Sequence, residues 1–230
     1  MILEACCSDI ESVYNAWKGG ADRIELCSAL EVGGVTPSIG LIQEAVKIFE
    51  TGTHVLIRPR PGDFIYSPLE LKVILRDIEE AFKAGAHGVV VGALTPDGDI
   101  DEEACYRMVE VAKGADITFH RAFDRCRMPL DSLERIIEMG FNRILTSGQK
   151  PKAVEGVDLL HQLIEKAGDR IAIMPGSGVT SDNAAEIVEK TGCKELHASC
   201  KKAVEDGGGG TRNITCEAEV AKLRNIVDKK

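Results

Sequence analysis

Short apolar runs alternate along this chain with longer stretches of helical periodicity, and a glycine stands at the joins between them. Helical spacing gives way to Gly20-Ala21-Asp22-Arg23-Ile24-Glu25-Leu26 and later to Gly52-Thr53-His54-Val55-Leu56-Ile57. The same join recurs at Gly85 before Val89-Val90-Val91, Gly114 before Ile117-Thr118-Phe119, and Gly140 before Arg143-Ile144-Leu145-Thr146. Gly168 precedes Ile171-Ala172-Ile173-Met174, and Gly192 precedes Glu195-Leu196-His197-Ala198. A glycine ends a helix at such a place because, lacking a Cβ, it takes the left-handed cap conformation without a clash. These seven joins and an opening strand near Ile2–Cys6 predict eight strands.

Regular alternation of strand and helix implies right-handed crossovers and a parallel sheet. Eight such units in 230 residues predict an α/β fold, a single (β/α)₈ TIM barrel over residues 1–230. A doubly wound open sheet is the alternative, but it rarely needs eight evenly spaced units. Among the helices, Ser67-Pro68-Leu69-Glu70 reads as a capping box with proline at the first helical position. Val73, Ile74, Ile78, Ala81 and Phe82 then form one apolar stripe. Ser181-Asp182-Asn183 and Asp131-Ser132 offer further helix starts. The run Gly207–Gly210 reads as a flexible loop after the last strand. No Lys-Ser/Thr follows it, so it is not a P-loop.

Composition narrows the function classes. A net charge of −9 argues against non-specific nucleic-acid binding and gives no attraction to an anionic membrane. The N-terminus lacks the basic and apolar segments of a signal peptide, and no run approaches the ~18 apolar residues of a membrane span. A cytoplasmic protein is expected. Its eight cysteines are then expected as thiols. Cys105 and Cys216 read as small buried hydrophobes on helix faces.

Barrels of this type work at the C-terminal ends of their strands, and there the chain places unusual chemistry. Strand one reads Glu4-Ala5-Cys6 and strand two Glu25-Leu26-Cys27, the same Glu-x-Cys pattern on adjacent strands. Strand three ends Arg58-Pro59-Arg60, strand five His120-Arg121, and strand eight carries His197-Ala198-Ser199. The spacing predicts Glu4, Glu25, Arg58, His120 and His197 at one mouth. One alternative is a polar plug, with Glu4 and Glu25 ion-paired to Arg58 and Arg23. His54, His87 and His161 read as structural. Cys6 and Cys27, if matched across neighbouring strands ~4.8 Å apart, would bring two sulfurs together, and a thiolate pair favours a soft ion such as Cu(I). A simple pair of buried thiols is the other reading of the same spacing. Pro175-Gly176-Ser177-Gly178 follows strand seven, where barrels often bind phosphate through free backbone amides. A plain tight turn is the alternative.

These stretches together resemble the copper homeostasis protein CutC family along nearly the whole chain. The resemblance rests on Gly20–Ser28, Gly33-Gly34-Val35-Thr36-Pro37-Ser38 and Ile57-Arg58-Pro59-Arg60-Pro61-Gly62-Asp63-Phe64-Ile65-Tyr66. Thr118-Phe119-His120-Arg121-Ala122-Phe123-Asp124, Leu145-Thr146-Ser147-Gly148, Pro175–Gly178 and Glu195–Ser199 continue it in the family's order. It implies a cytoplasmic barrel tied to copper homeostasis, forming a homodimer, with Cys6 and Cys27 as Cu(I) ligands. Cys7 stands where an apolar residue is expected. The densest motifs, however, are not the cysteines. Arg58, Arg60, Arg121, Asp124, Ser147, Gly176 and Gly178 look like a site for a small anionic ligand. The alternative function is therefore a barrel isomerase, lyase or hydrolase acting on a phosphorylated or carboxylated substrate. Glu4, Glu25, His120 and His197 would then be its acid–base groups.

Overall fold

The structure is a computed structural model and describes residues 1–50 and 52–229. Its barrel strands are β1 (Ile2–Cys7), β2 (Arg23–Leu26), β3 (Thr53–Leu56), β4 (Gly88–Val91), β5 (Asp116–Phe119), β6 (Arg143–Thr146), β7 (Ala172–Pro175) and β8 (Glu195–Ala198). Around them lie α1 (Ile10–Lys18), α2 (Ile39–Ile48), α3 (Pro68–Lys83), α4 (Glu102–Ala112), α5 (Pro129–Glu138), α6 (Val157–Ala167), α7 (Ala184–Thr191) and α8 (Glu217–Val227). The strands pair in parallel in the order β7-β6-β5-β4-β3-β2-β1-β8. This is the predicted eight-stranded barrel, nearly closed: no hydrogen-bonded ladder joins β7 to β8. Side chains hold that seam instead, since Arg143 on β6 reaches across β7 to Glu195 on β8 at 2.5 Å.

The glycine joins behave as caps. Gly192, at φ 70°, ends α7 by donating its amide to the Val188 carbonyl. Gly52 acts differently: a Cβ there would lie 2.7 Å from the Asp22 carbonyl oxygen, so a close approach of two chains requires it. The capping box of α3 forms as predicted, with Glu70 accepting from the Ser67 amide at 2.7 Å. Its buried stripe is Leu71, Ile74, Ile78 and Ala81, whereas Val73 is 48% exposed. A step of three residues from Ile74 back to Leu71 keeps the helix's inner face, and Val73 falls a quarter-turn away. α5 starts at Pro129, before the expected Asp131-Ser132, because proline's fixed φ suits the first helical position.

One element escaped the periodicity. Past β8 the chain forms an antiparallel hairpin, β9 (Lys201–Glu205) and β10 (Thr211–Thr215), with Gly207–Gly210 as its tip. The Asp206 carboxylate accepts from the Gly208 and Gly210 amides at 2.9 and 2.8 Å, which closes the turn. The hairpin is fastened to α1: Arg212 meets Glu11 at 2.5 Å, and Thr215 donates its amide to the Ser12 hydroxyl at 3.0 Å. Its faces are mostly exposed, so no hydrophobic alternation marks it in the sequence.

Outward-facing strand residues such as Leu3, Ile24, Val89 and Phe119 pack with the helices into the main core. The barrel interior is different at its lower end. Arg23 donates to Glu4 and to Glu195, both at 2.5 Å. Arg143 donates to Glu195 at 2.5 Å, to Asp116 at 3.2 Å and to the Thr118 hydroxyl at 3.1 Å. His54 stands 3.6 Å from Asp116. Charge inside a protein is tolerated when it is paired in this way. Above this floor the barrel opens into a cavity.

Candidate functional site at the barrel mouth

The position of each group follows from the β1–β2 register. Glu4 lies opposite Arg23, and Cys6 opposite Glu25. The two Glu-x-Cys segments are therefore offset by two residues rather than matched, because strands in a closing barrel must stagger. The offset makes a ladder of ligating atoms. Cys6 Sγ donates to Glu25 Oε2 at 3.3 Å, and Cys27 Sγ, one step higher, lies 3.9 Å from Cys6 Sγ. From β8, His197 Nδ1 meets Glu4 Oε1 at 2.7 Å and turns Nε2 toward Glu25 Oε2 at 3.9 Å. One ligating atom each from Cys6, Glu25 and His197 lies within 4.8 Å of the others. Of the expected plug of Glu4 and Glu25 with Arg58 and Arg23, the structure forms the Glu4–Arg23 pair, while among the described residues neither carboxylate pairs with Arg58.

The sulfurs sit in an apolar collar of Leu56 and Val90, with Leu30 against it. Cys7 is on the opposite face of β1 and fully buried in the main core, where Thr215 Oγ1 approaches its sulfur at 3.8 Å. Strand alternation removes it from the mouth. All the cysteines are free. Cys105 is buried as expected, and Cys216, half-buried, is the N-cap residue of α8.

Burial and pairing set the ionisation of these groups. Burial works to raise Glu4, but the Arg23 guanidinium and the bond from His197 outweigh it and hold the carboxyl well below its usual range. For Glu25 burial prevails and its pKa is raised. Burial opposes the His197 cation, yet the Glu4 bond and the Glu25 charge raise its pKa overall. The bond with Cys27, followed by burial, pushes the Cys6 thiol well up, so a proton stays on it unless something positive replaces that proton. His120 is pulled down to about 3 by burial and by Arg58, and is neutral.

The cavity above has a volume of about 280 Å³, and Cys6, Glu25, Arg58, His120, Arg121, Gly178 and His197 line it. Four of the five residues expected at one mouth are thus together, and the fifth, Glu4, lies directly beneath His197. Cys27, only 1% exposed, is covered by the loop after β2, where a Cβ on Gly34 would stand 3.4 Å from Cys27 Cβ. The remaining candidates have supporting positions. Asp124 accepts from Thr146 Oγ1 at 2.5 Å, the Ser147 amide at 2.9 Å and Arg121 Nε at 2.8 Å, tying the loops after β5 and β6 together. Ser147 bonds back to Asp124 and to Arg121. Gly176 lies against β8; a Cβ there would come within 3.2 Å of His197 Cβ and 2.5 Å of Leu145 Cδ1.

The two arginines of Arg58-Pro59-Arg60 part company. Arg58 donates to the Gly34 and Gly62 carbonyls, each at 2.9 Å, and stacks on Phe64 at 4.9 Å, pinning the loops after β2 and β3. Arg60 does not line the cavity; it is paired with Glu70 and, at 2.9 Å, with Asp63. Lys201, from the hairpin, lines the cavity and was missing from the sequence-based set. An exposed lysine three residues past the end of β8 carries no signal that separates it from any surface lysine.

The CutC family matches residues 1–202. A family protein CutC of Pasteurella multocida (strain Pm70) is 51% identical over 201 residues, 87% of this chain and 82% of that one. The chain belongs to the CutC family. The human copper homeostasis protein cutC homolog is 45% identical over 206 residues, covering 90% of this chain and 76% of its own. The crystal structure of CutC from Streptococcus agalactiae superposes with a TM-score of 0.82 at 35% identity, covering 86% of this chain and 98% of that one. The match spans all eight barrel strands and helices α1 to α7, whereas most of the hairpin and helix α8 lie beyond the matched residues.

Proposed function

We propose that this protein acts in copper homeostasis by binding Cu(I) at the Cys6–Cys27 pair. The observation that carries this reading is the 3.9 Å approach of two buried sulfurs inside an apolar collar. Thiolates are soft ligands that select Cu(I), and an apolar surround limits access of water to the ion. The donor set fits in a second respect. With Nδ1 bonded to Glu4, His197 presents Nε2 as the atom a metal would take in exchange for its proton; a carboxylate behind a ligating histidine is the usual outer support of a metal site. His197 and Glu25 would then complete the set. Binding replaces the thiol protons, so affinity rises with pH.

A cytoplasmic location is part of this reading, and the free thiols support it, since a reducing compartment keeps cysteines in that state. Among the described residues, no helix is long and apolar enough to cross a membrane. The homodimer implied by the family resemblance belongs to the same reading, and light scattering measures it directly. Competition with a Cu(I) chelator under reducing conditions tests the metal site. Cys6→Ser and Cys27→Ser should each weaken binding severely, since each removes half of the sulfur ligands. Wild-type affinity in the double variant would sink the proposal.

A further inference from the structure

We propose that the cavity holds a second subsite, for an oxyanion group on a small molecule, built from residues other than the sulfurs. The protein carries a net charge of −9, yet three cations, Arg58, Arg121 and Lys201, line this cavity against a single acid, Glu25. Such a local reversal of sign concentrates anions.

The donors come from the loops after β5, β7 and β8. Arg121 gives Nε to Asp124 and Nη2 to Ser147, which fixes its plane and leaves Nη1 without a partner among the described residues. Lys201 makes no ion pair with any described residue. Between them stand Ser177 and Gly178, both at positive φ, 83° and 66°. Their carbonyls are occupied, by the Ala153 amide and by Asn183 Nδ2. Their amides donate to nothing among the described residues. A non-glycine residue at positive φ is a local cost, and free amides at a turn form an anion-binding concavity. Ser199 adds a hydroxyl from the end of β8.

An independent observation points to the same ligand. His120 is 4% exposed and lines the cavity. Its Nδ1 accepts from the Ala122 amide at 3.2 Å, so in the neutral ring Nε2 carries the hydrogen. That buried N–H has no acceptor among the described residues. A buried donor without a partner is costly, and an oxyanion oxygen would supply what it lacks. A molecule anchored here would extend its remaining atoms toward Glu25 and His197. This inference goes beyond the metal site and stands without it.

The test uses the metal-free protein with inorganic phosphate and, separately, acetate, followed by thermal unfolding and calorimetry. Saturable one-to-one binding with a rise in Tm is expected, since a ligand of the native state stabilises it by mass action. The tighter of the two probes identifies the group as phosphoryl or carboxylate. Lys201→Glu changes an exposed side chain and keeps the fold; it should weaken binding roughly tenfold or more, as should Arg121→Gln. Arg60→Gln removes the same charge away from the cavity and should leave binding as in the wild type. Absence of saturable binding by both anions, or equal binding by Lys201→Glu and wild type, overturns the subsite. Cu(I) competition in phosphate-free buffer is read separately, so either result leaves the other intact.

Discussion

The floor and the mouth of this barrel are built from the same residue types, arginine, glutamate and histidine, and differ in how far their charges are paired. Among the described residues the floor leaves one neutral ring atom, His54 Nδ1, without a partner, but its guanidiniums and carboxylates pair with one another. On the floor, Arg23 and Arg143 divide their donors among Glu4, Glu195, Asp116 and Thr118. At the mouth, among the described residues, His120 Nε2 has no partner, Arg121 and Lys201 retain free donors, and Glu25 meets a thiol at 3.3 Å and the His197 ring only at 3.9 Å. Charge in a barrel interior is thus a poor guide to function when taken alone. What separates architecture from chemistry is an unsatisfied donor that borders an open cavity, as His120 Nε2 does, together with cations left without a paired acid.

The largest test of this contrast is to break the floor. Arg23→Ala removes the shared partner of buried Glu4 and half-buried Glu195, leaving Glu4 to His197 and Glu195 to Arg143, and breaking a buried ion pair of this kind costs about 3–5 kcal/mol. Chemical denaturation should register that loss. An effect near zero would mean that the floor is solvated and no different from the mouth.

The second test uses acid and sharpens the mouth side. His120 titrates near 6.5 when unfolded and is pulled down to about 3 in the fold. Between these values the unfolded chain holds the proton and the native ring does not, so stability falls as pH falls. The slope is roughly 1.4 kcal/mol for each pH unit lost below about 6.5. His197 runs the other way: its raised pKa contributes stability that is full below 6.5 and is lost as pH climbs through the folded value. Stability measured against pH in His120→Asn should show the acid slope reduced by one proton's worth. An unchanged slope would mean that the ring is not held neutral.

The third and smallest effect concerns the boundary between the two regions. Gly176→Ala places a methyl 2.5 Å from Leu145 Cδ1 and 3.2 Å from His197 Cβ. Overpacking of this kind costs about 1–3 kcal/mol, and the displaced His197 should lower metal affinity more than stability alone explains. If affinity holds while stability drops, His197 is not positioned by β7.

Much of this was legible in the chain. The glycine joins announced eight strands because each sits where a helix must stop, and strand alternation put Glu4, Cys6, Glu25 and His197 on one inner face. Strand register was not legible. No local pattern says that Cys6 faces Glu25, because barrel stagger is set by closing the whole sheet. Partnering was not legible either: Arg58 and Arg60 are two residues apart, yet one enters the mouth and the other turns to Glu70. The hairpin stayed hidden because it buries little, and with it went Lys201.

The missing ladder between β7 and β8 has a mechanical consequence. A barrel closed all round resists opening equally everywhere, whereas this one has a single line along which the backbone bears no hydrogen-bonded tension. Motions that part the wall should concentrate along that line. The two edges that would separate are the strand leading to Ser177 and the strand carrying His197. That line ends at the cavity, while the Arg143–Glu195 bond crosses it at the floor, so the wall should part more readily at the mouth end than below.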